Sequence, residues 1–85
     1  MSKVDIYTKG HCPYCHRAKA LLNKKEISFN EIEIDVMPEL RSTMIDRAKG
    51  KSTVPQIFIN DHHVGGCDDL FALEAKNQLD SLLSN

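Results

Sequence analysis

A predicted strand runs directly into a pair of cysteines at the start of a predicted helix, and this junction constrains the fold more than any other feature. Val4, Ile6 and Thr8 alternate with more polar neighbours, a period of two that is typical of a strand. The segment Cys12-Pro13-Tyr14-Cys15 follows, and Pro13 suits a first helical position because its missing N–H would have no partner there. Two cysteines on a helix's first turn can form a disulfide without unfolding the chain.

The rest of the chain continues the alternation of strands and helices. The predicted elements are a strand at 4–9, a helix from 13 to about 25, a strand at 27–35, a helix opened by Pro38 and stopped by Gly50, a hairpin of 56–60 and 62–65 around Asn60-Asp61, and a helix at 68–76 with a last turn at Leu79, Leu82 and Leu83. In the second strand Ile27 and Phe29 are out of phase with Ile32 and Ile34. Either a bulge near Asn30 or burial of both faces would explain this.

The element order β-α-β-α-β-β-α predicts an α/β fold with a mixed four-stranded sheet. The first two strands are parallel because a helix joins them by a right-handed crossover, and the late hairpin is antiparallel. Helices are expected on both faces of the sheet. At 85 residues the chain has room for one hydrophobic core, so we expect a single domain over residues 1–85.

Composition and charge exclude several classes of partner. The formal net charge is -1, from 11 basic and 12 acidic side chains, so no overall field attracts nucleic acid or an anionic membrane. No apolar stretch is as long as a membrane span, and the first residues lack the core of a signal peptide. We therefore expect a cytoplasmic protein that selects its partners through a local site. The sequence leaves the oligomeric state open, and a monomer is our default expectation.

The three cysteines favour redox chemistry over structural disulfides or zinc. An odd number fits a disulfide framework poorly, and a CxxC pair in a reducing compartment is typical of a catalytic or metal site. A closed zinc site needs four ligands, which Cys67 and one histidine would have to complete, and the chain has no second CxxC. We expect no metal and no tightly bound cofactor.

Cys12 is the predicted nucleophile and Cys15 the predicted resolving thiol. The reactive form is the thiolate, and Cys12 lies where the unpaired N–H groups of the first turn can stabilise an anion. The helix dipole contributes only about 0.3–1 kcal/mol, so more stabilisation is needed. The available additional contributions are hydrogen bonds from the Tyr14 and Cys15 amides and the nearby side chains of Lys9, His11, His16 and Arg17. We expect Cys12 to be exposed with a pKa well below its reference value, and Cys15 to be shielded.

Three motifs in this order resemble those of the glutaredoxins, most closely the small dithiol members of bacteria. They are CPYC after the first strand, Thr53-Val54-Pro55 before the third, and Gly65-Gly66-Cys67-Asp68-Asp69 before the last main helix. The resemblance covers essentially the whole chain. It implies a thioredoxin fold, a cis bond before Pro55, and glutathione as co-substrate.

The resemblance also implies where glutathione binds. Lys9 would bind the glycine carboxylate of glutathione, and the Val54 backbone, flanked by Thr53 and Pro55, would pair with the cysteinyl part. The start of the last main helix at Gly66 and Cys67 would bind the γ-glutamyl carboxylate, and Asp68 would bind the ammonium group. Tyr14 either covers the ligand's sulfur or is simply a partly exposed aromatic. Cys67 is a small apolar residue rather than a third redox thiol, and Asp69 is a helix-start acid. His62 and His63 are expected to face solvent.

The predicted activity is glutathione-dependent thiol–disulfide exchange on protein disulfides and protein-glutathione mixed disulfides. Two alternatives remain open. One is a thioredoxin-like electron donor, for instance to ribonucleotide reductase, reduced by a flavoprotein. The other is an iron–sulfur carrier in which two Cys12 thiolates and two glutathiones hold a cluster across a dimer.

Overall fold

Four strands form one mixed sheet in the computed structural model, which describes residues 2–84. They are β1 (Val4–Thr8), β2 (Asn30–Glu33), β3 (Gln56–Ile59) and β4 (His62–Gly65). Their order across the sheet is β2-β1-β3-β4. β1 runs parallel to β2 and antiparallel to β3, and β3 and β4 form an antiparallel hairpin. The predicted sheet is therefore confirmed.

Helices cover both faces of this sheet, as the sequence predicted. They are α1 (Pro13–Lys24), α2 (Leu40–Arg47), α3 (Cys67–Ala75) and α4 (Leu79–Leu83). On one face α1, α3 and α4 bury Ala18, Leu22, Leu70 and Leu79 against Ile6. On the other face Met44 of α2 and Ala48, the residue that follows this helix, pack on Tyr7 and Phe58. None of the helices in residues 2–84 has the length and apolar character needed to cross a membrane.

The two-sided covering buries every residue of β1, including its polar ones. Asp5 is bonded to Arg47 at 3.2 Å, and the Thr8 hydroxyl donates to Glu31 at 2.7 Å. Buried polar groups need such partners because they have lost their contacts with water. The central strand is thus tied to its neighbours on both faces of the sheet.

The phase break in the second strand comes from burial on both faces. β2 is shorter than predicted, and its register with β1 is unbroken. Ile27 and Phe29 pack on the core beneath α1, whereas Ile32 and Ile34 pack on the core beneath α2. A bulge near Asn30 is therefore not needed.

Several helix boundaries differ from the sequence prediction, and two of them have a clear local cause. The predicted helix at Pro38 begins at Leu40, because the preceding residues form a tighter turn in which the Leu40 N–H bonds to the Met37 carbonyl at 3.0 Å. The predicted last turn is a separate helix, α4, because Asn77 has a φ of 59° that ends the preceding helix. Both differences lie at element ends, where local turns override periodicity.

The hairpin turn forms where the sequence placed it, and a bulge follows in β4. Asn60 and Asp61 have φ values of 51° and 66°, the left-handed conformations that a two-residue hairpin turn requires. Phe58 pairs with His63 but Ile57 pairs with Gly65, so one extra residue lies between these two pairs. The bulge changes the strand's course immediately before α3.

Candidate active site

Cys12 and Cys15 are joined by a disulfide at the N-terminus of α1. Cys12 is the residue that caps the helix, and its sulfur accepts a hydrogen bond from the Cys15 N–H at 3.1 Å. The amides of Tyr14 and Cys15 were both predicted to donate to this sulfur. Within residues 2–84, only the Cys15 amide does so. The cap gives Cys12 the backbone donor that an anionic sulfur would need.

The expectation that Cys12 is exposed is wrong for this oxidised form. Cys12 is 8% exposed and Cys15 is 0% exposed. The sulfur of Cys12 is bonded to that of Cys15 and lies 3.9 Å from the Val54 carbonyl oxygen, so neighbouring backbone covers most of it. The predicted ranking still holds, because Cys15 is the more deeply shielded of the two.

The segment 53–55 lies beside the dithiol, and the Val54–Pro55 peptide bond is cis, as the resemblance implied. Pro55 is buried and Val54 half-buried. The distance from the Val54 carbonyl to Cys12 puts the backbone of this segment within reach of any group bonded to the Cys12 sulfur. An extended ligand could therefore pair with this edge of the chain.

A cleft of about 210 Å³ opens between this segment and the start of α3. Its lining contains all of the predicted glutathione-contacting residues except Lys9. The lining residues are Tyr14, Lys51, Thr53, Val54, Pro55, Gln56, Gly66, Cys67, Asp68 and Asp69. Tyr14, at 56% exposed, both borders the cleft and projects into solvent. The three sequence motifs thus meet at one site.

The cation that lines the cleft is not the one predicted from the sequence. Lys51 lines the cleft, whereas the predicted cation Lys9 is exposed outside its lining. Lys9 lies near Asp35, whose pKa is lowered chiefly by the Gly10 amide and also by Lys9. The sequence signal that could have identified Lys51 as a cleft residue is its position two residues before the Thr53-Val54-Pro55 motif. The charged residues that line the cleft are thus one cation, Lys51, and two carboxylates, Asp68 and Asp69.

Gly65 and Asp69 determine how α3 begins. Asp69 accepts the Gly66 N–H at 3.0 Å, confirming its predicted role as a helix-start acid. That amide is therefore already bonded, and the amides of Cys67 and Asp68 are the first-turn donors that an anion in the cleft would meet. Gly65 has a φ of 120°, and a Cβ there would collide with the Asp69 carboxylate. Gly66, the glycine that was predicted to meet the ligand, has an ordinary φ of -93°.

Cys67 is a buried free thiol in the cleft wall. Burial raises the pKa of this thiol, with Asp68 acting in the same direction and the Arg17 guanidinium against it. A raised pKa reduces the thiolate fraction at neutral pH. These features agree with the prediction of a packing role for Cys67.

The prediction that both hairpin histidines face solvent is correct for His62 and wrong for His63. His62 is exposed, but His63 is half-buried and stacks on Phe58 with 4.9 Å between ring centroids. Its Nε2 lies 2.7 Å from the Oε1 of Gln56, a buried residue that lines the cleft. Sequence alone did not distinguish the two histidines because the hairpin register, which pairs His63 with Phe58, determines which one lies on the sheet face that α2 covers.

Comparison with known proteins identifies the family. The glutaredoxin family model matches residues 4–64. The chain is 59% identical over 83 residues to glutaredoxin 3 of Escherichia coli K12, covering 98% of this chain and 99% of that protein. The chain belongs to the glutaredoxin family. It is a thiol–disulfide oxidoreductase with a redox-active cysteine pair.

Solved glutaredoxin structures share this fold. The solution structure of glutaredoxin from Brucella melitensis has a TM-score of 0.82 at 59% identity, covering 95% of this chain and 87% of that one. The crystal structure of a buckwheat glutaredoxin-glutathione complex has a TM-score of 0.88 at 27% identity, covering 98% and 77%. These neighbours establish that the sheet and helices form the glutaredoxin version of the thioredoxin fold.

Proposed function

We propose that this glutaredoxin uses glutathione to reduce protein disulfides and protein-glutathione mixed disulfides, with Cys12 as the nucleophile and Cys15 as the resolving thiol. The observation that carries the proposal is the position of the Cys12 sulfur. It accepts a helix N-terminal amide on one side and faces the Val54 backbone at the edge of a charged cleft on the other. The buckwheat relative, solved as a glutathione complex, supports the same ligand here.

For a glutathionylated protein, the Cys12 thiolate attacks the glutathione sulfur. The S–S bond of the substrate breaks, the protein leaves as a thiolate that takes a proton, and Cys12 becomes a mixed disulfide with glutathione. A second glutathione thiolate then attacks the glutathione sulfur of this mixed disulfide. Oxidised glutathione forms and the Cys12 thiolate is regenerated, so Cys15 is not needed on this route.

For a protein disulfide, Cys12 first forms a mixed disulfide with the target. The Cys15 thiolate attacks the Cys12 sulfur, releases the reduced target and leaves the Cys12–Cys15 disulfide seen in the structure. Two glutathiones restore the dithiol and leave as oxidised glutathione. The burial of Cys15 suits this order, because Cys12 is the more accessible sulfur.

We place glutathione in the cleft by matching its charged groups to the residues that line the cleft. The first-turn amides of Cys67 and Asp68 would receive the γ-glutamyl carboxylate, and the Asp68 side chain would receive the ammonium. Lys51 lines the cleft and would pair with the glycine carboxylate, the role that the resemblance gave to Lys9. The proposal places the enzyme in the cytoplasm, where the glutathione pool is reducing.

Turnover of a glutathionylated peptide, coupled to glutathione and glutathione reductase, tests the proposal. Cys12→Ser should have no measurable turnover of this peptide or of a disulfide-bonded protein. Cys15→Ser should retain turnover of the glutathionylated peptide and lose the two-thiol route to the protein disulfide. Circular dichroism of both variants would show that each is folded.

Three results would contradict the proposal. An inactive, folded Cys15→Ser variant would refute the division of labour between the cysteines. Activity in Cys12→Ser would refute the choice of nucleophile. A wild-type protein that is reduced by a thioredoxin reductase but not by glutathione would support the thioredoxin-like alternative.

A further inference from the structure

His63 lies outside the lining of the cleft but contacts one of its residues. Phe58 and His63 are paired across the hairpin, so their side chains share the face of the sheet that α2 covers. Gln56 is two residues before Phe58 on the same strand and therefore points to the same face. The bulge after His63 adjusts the register there, and the His63 Nε2 lies 2.7 Å from the Gln56 Oε1.

The hydrogen bonds of Gln56 fix the orientation of its carboxamide. Its Nε2 donates to the Thr53 carbonyl at 3.0 Å and to the Thr53 hydroxyl at 3.2 Å. A flipped amide would place its oxygen against the Thr53 carbonyl oxygen, and neither atom could donate. The Gln56 Oε1 must therefore face His63 as an acceptor, so the His63 Nε2 carries the proton.

The His63 ring is itself held by the core. It stacks on Phe58 at an interplanar angle of 27°, and Phe58 in turn makes an edge contact with Tyr7 at 5.8 Å. Burial lowers the pKa of His63, with Lys51 and Lys49 acting in the same direction, Asp69 opposing and His62 adding a small lowering. The lowered pKa favours the neutral ring, whose one N–H is directed at Gln56. Gln56 is 1% exposed, so water cannot readily replace this donor.

The chain of contacts ends at the dithiol. Thr53 is held by Gln56, and Val54, the next residue, has its carbonyl oxygen 3.9 Å from the Cys12 sulfur. We propose that His63 is a positioning residue for disulfide exchange, which fixes the Thr53–Pro55 wall of the cleft through the Gln56 carboxamide. This rests on the proposed function, because the substrate aligned along that wall is a glutathione mixed disulfide.

Three variants separate the hydrogen bond from the packing of the ring. His63→Phe keeps an aromatic ring on Phe58 but removes the donor. His63→Gln loses the ring but places an amide N–H at nearly the same distance from the backbone as the imidazole Nε2. His62→Phe is the matched control, because it puts the same new ring on the exposed neighbouring residue.

The kinetic readout is KM and kcat for a glutathionylated peptide. The loss of one buried hydrogen bond should raise KM in His63→Phe by about three- to tenfold, with kcat changed by less than about twofold. His63→Gln and His62→Phe should both stay within about twofold of the wild type. Reduction of the Cys12–Cys15 disulfide by dithiothreitol, which does not need the cleft, should proceed at the same rate in all variants.

A second readout needs no substrate. The side-chain amide protons of Gln56, followed by NMR, should exchange with solvent faster in His63→Phe than in the wild type, and at the wild-type rate in His63→Gln. Failure of the wild type to turn over the glutathionylated peptide would reject the proposed function, and this exchange measurement would still decide the role of His63.

The proposal is overturned if His63→Phe keeps the wild-type KM and the wild-type amide exchange. It is also overturned if His63→Gln is as impaired as His63→Phe, since the ring and not the donor would then matter. If His63→Phe slowed the dithiothreitol reaction as much as it slowed turnover of the peptide, the variant would disturb the fold in general. The role of His63 in fixing the Thr53–Pro55 wall would then be rejected.

Discussion

At the scale of single residues, the surroundings of Cys12 show which interaction can stabilise an anionic sulfur most. The helix terminus supplies about 0.3–1 kcal/mol. A hydrogen bond to a charged group is worth about 1.5–3 kcal/mol, and the Cys15 N–H lies 3.1 Å from the sulfur in the oxidised form. The amide is therefore the larger contribution, and it is set by the backbone of the cap. We expect a side-chain charge in the cleft to act on substrate binding instead.

Two lysines near the dithiol allow that distinction to be tested. We expect Lys51→Gln to raise KM for a glutathionylated peptide, because Lys51 lines the cleft and Lys9 does not. An exposed ion pair is worth about 0.2–1 kcal/mol, which corresponds to a rise of about 1.5- to 5-fold. The measurement is steady-state kinetics at low and at high salt, since screening should shrink the effect at high salt.

Lys9→Gln is the matched control, because it removes the same charge from an exposed residue beside the dithiol. Its KM should change less than that of Lys51→Gln. The opposite ranking would mean that the glycine carboxylate pairs with Lys9, as the family resemblance implied, and that the assignment to Lys51 is wrong.

At the scale of elements, sequence patterns predicted which elements form, and tertiary contacts decided their ends. α1 could be predicted from the sequence, because its start at Pro13 and its apolar spacing are properties of residues that lie close together along the chain. The length of β2 could not be predicted in this way, because Ile27 and Phe29 are buried by packing on the core beneath α1 rather than by sheet pairing. Likewise, the role of Gly65 depends on the Asp69 side chain across a turn, which periodicity does not reveal.

Gly65 and Gly66 provide an element-scale prediction at the junction of β4 and α3. Gly65→Ala should lower the free energy of unfolding by about 1–3 kcal/mol, because alanine is strained at a φ of 120° and its Cβ would displace the Asp69 cap. Gly66→Ala should cost less, since φ is -93° and its Cβ would lie at an ordinary 3.4 Å from the Pro55 carbonyl. Urea unfolding of both variants measures the difference.

Equal stability of the two alanine variants would contradict this account of the junction. A further check is Gly65→Ala combined with Asp69→Ala. If the collision with the carboxylate contributes, the combined loss should be smaller than the sum of the single losses, because removing the carboxylate relieves part of the strain.

At the scale of the whole molecule, both faces of the sheet are buried, and the polar side chains of its central strand determine how the two cores are joined. Arg47 reaches from α2 to Asp5 and covers Phe58 at 4.1 Å. On the other side of β1, Glu31 accepts hydrogen bonds from Thr8 at 2.7 Å and from Lys19 of α1 at 2.9 Å. The sequence showed these residues only as charges within apolar segments. Their pairing depends on the strand order, which brings residues distant in sequence together.

The hydrogen-bonded cluster of Thr8, Lys19 and Glu31, called the Glu31 cluster below, makes the free energy of unfolding depend on pH in a predictable direction. Burial opposes ionisation of Glu31, but the hydrogen bonds from Lys19 and Thr8 outweigh it and hold the pKa of Glu31 below its ordinary value of 4.5. Because the folded-state pKa is the lower one, this contribution is complete above about pH 4.5 and is lost as the pH falls through the folded-state pKa. At pH 7 we expect Glu31→Gln to lower the free energy of unfolding by about 1 kcal/mol or less.

Urea unfolding of the wild type and of Glu31→Gln at pH 7 and at about pH 3 measures this dependence. The difference between the two proteins should shrink at the lower pH, because the contribution of the ionised carboxylate begins to be lost below about pH 4.5. Glu33→Gln is the control on the same strand, since Glu33 makes no side-chain ion pair within residues 2–84, and it should change stability less at pH 7. A difference for Glu31→Gln that is the same at both pH values would show that the carboxylate's charge does not contribute, and that the cluster stabilises the fold through shape and neutral hydrogen bonding alone.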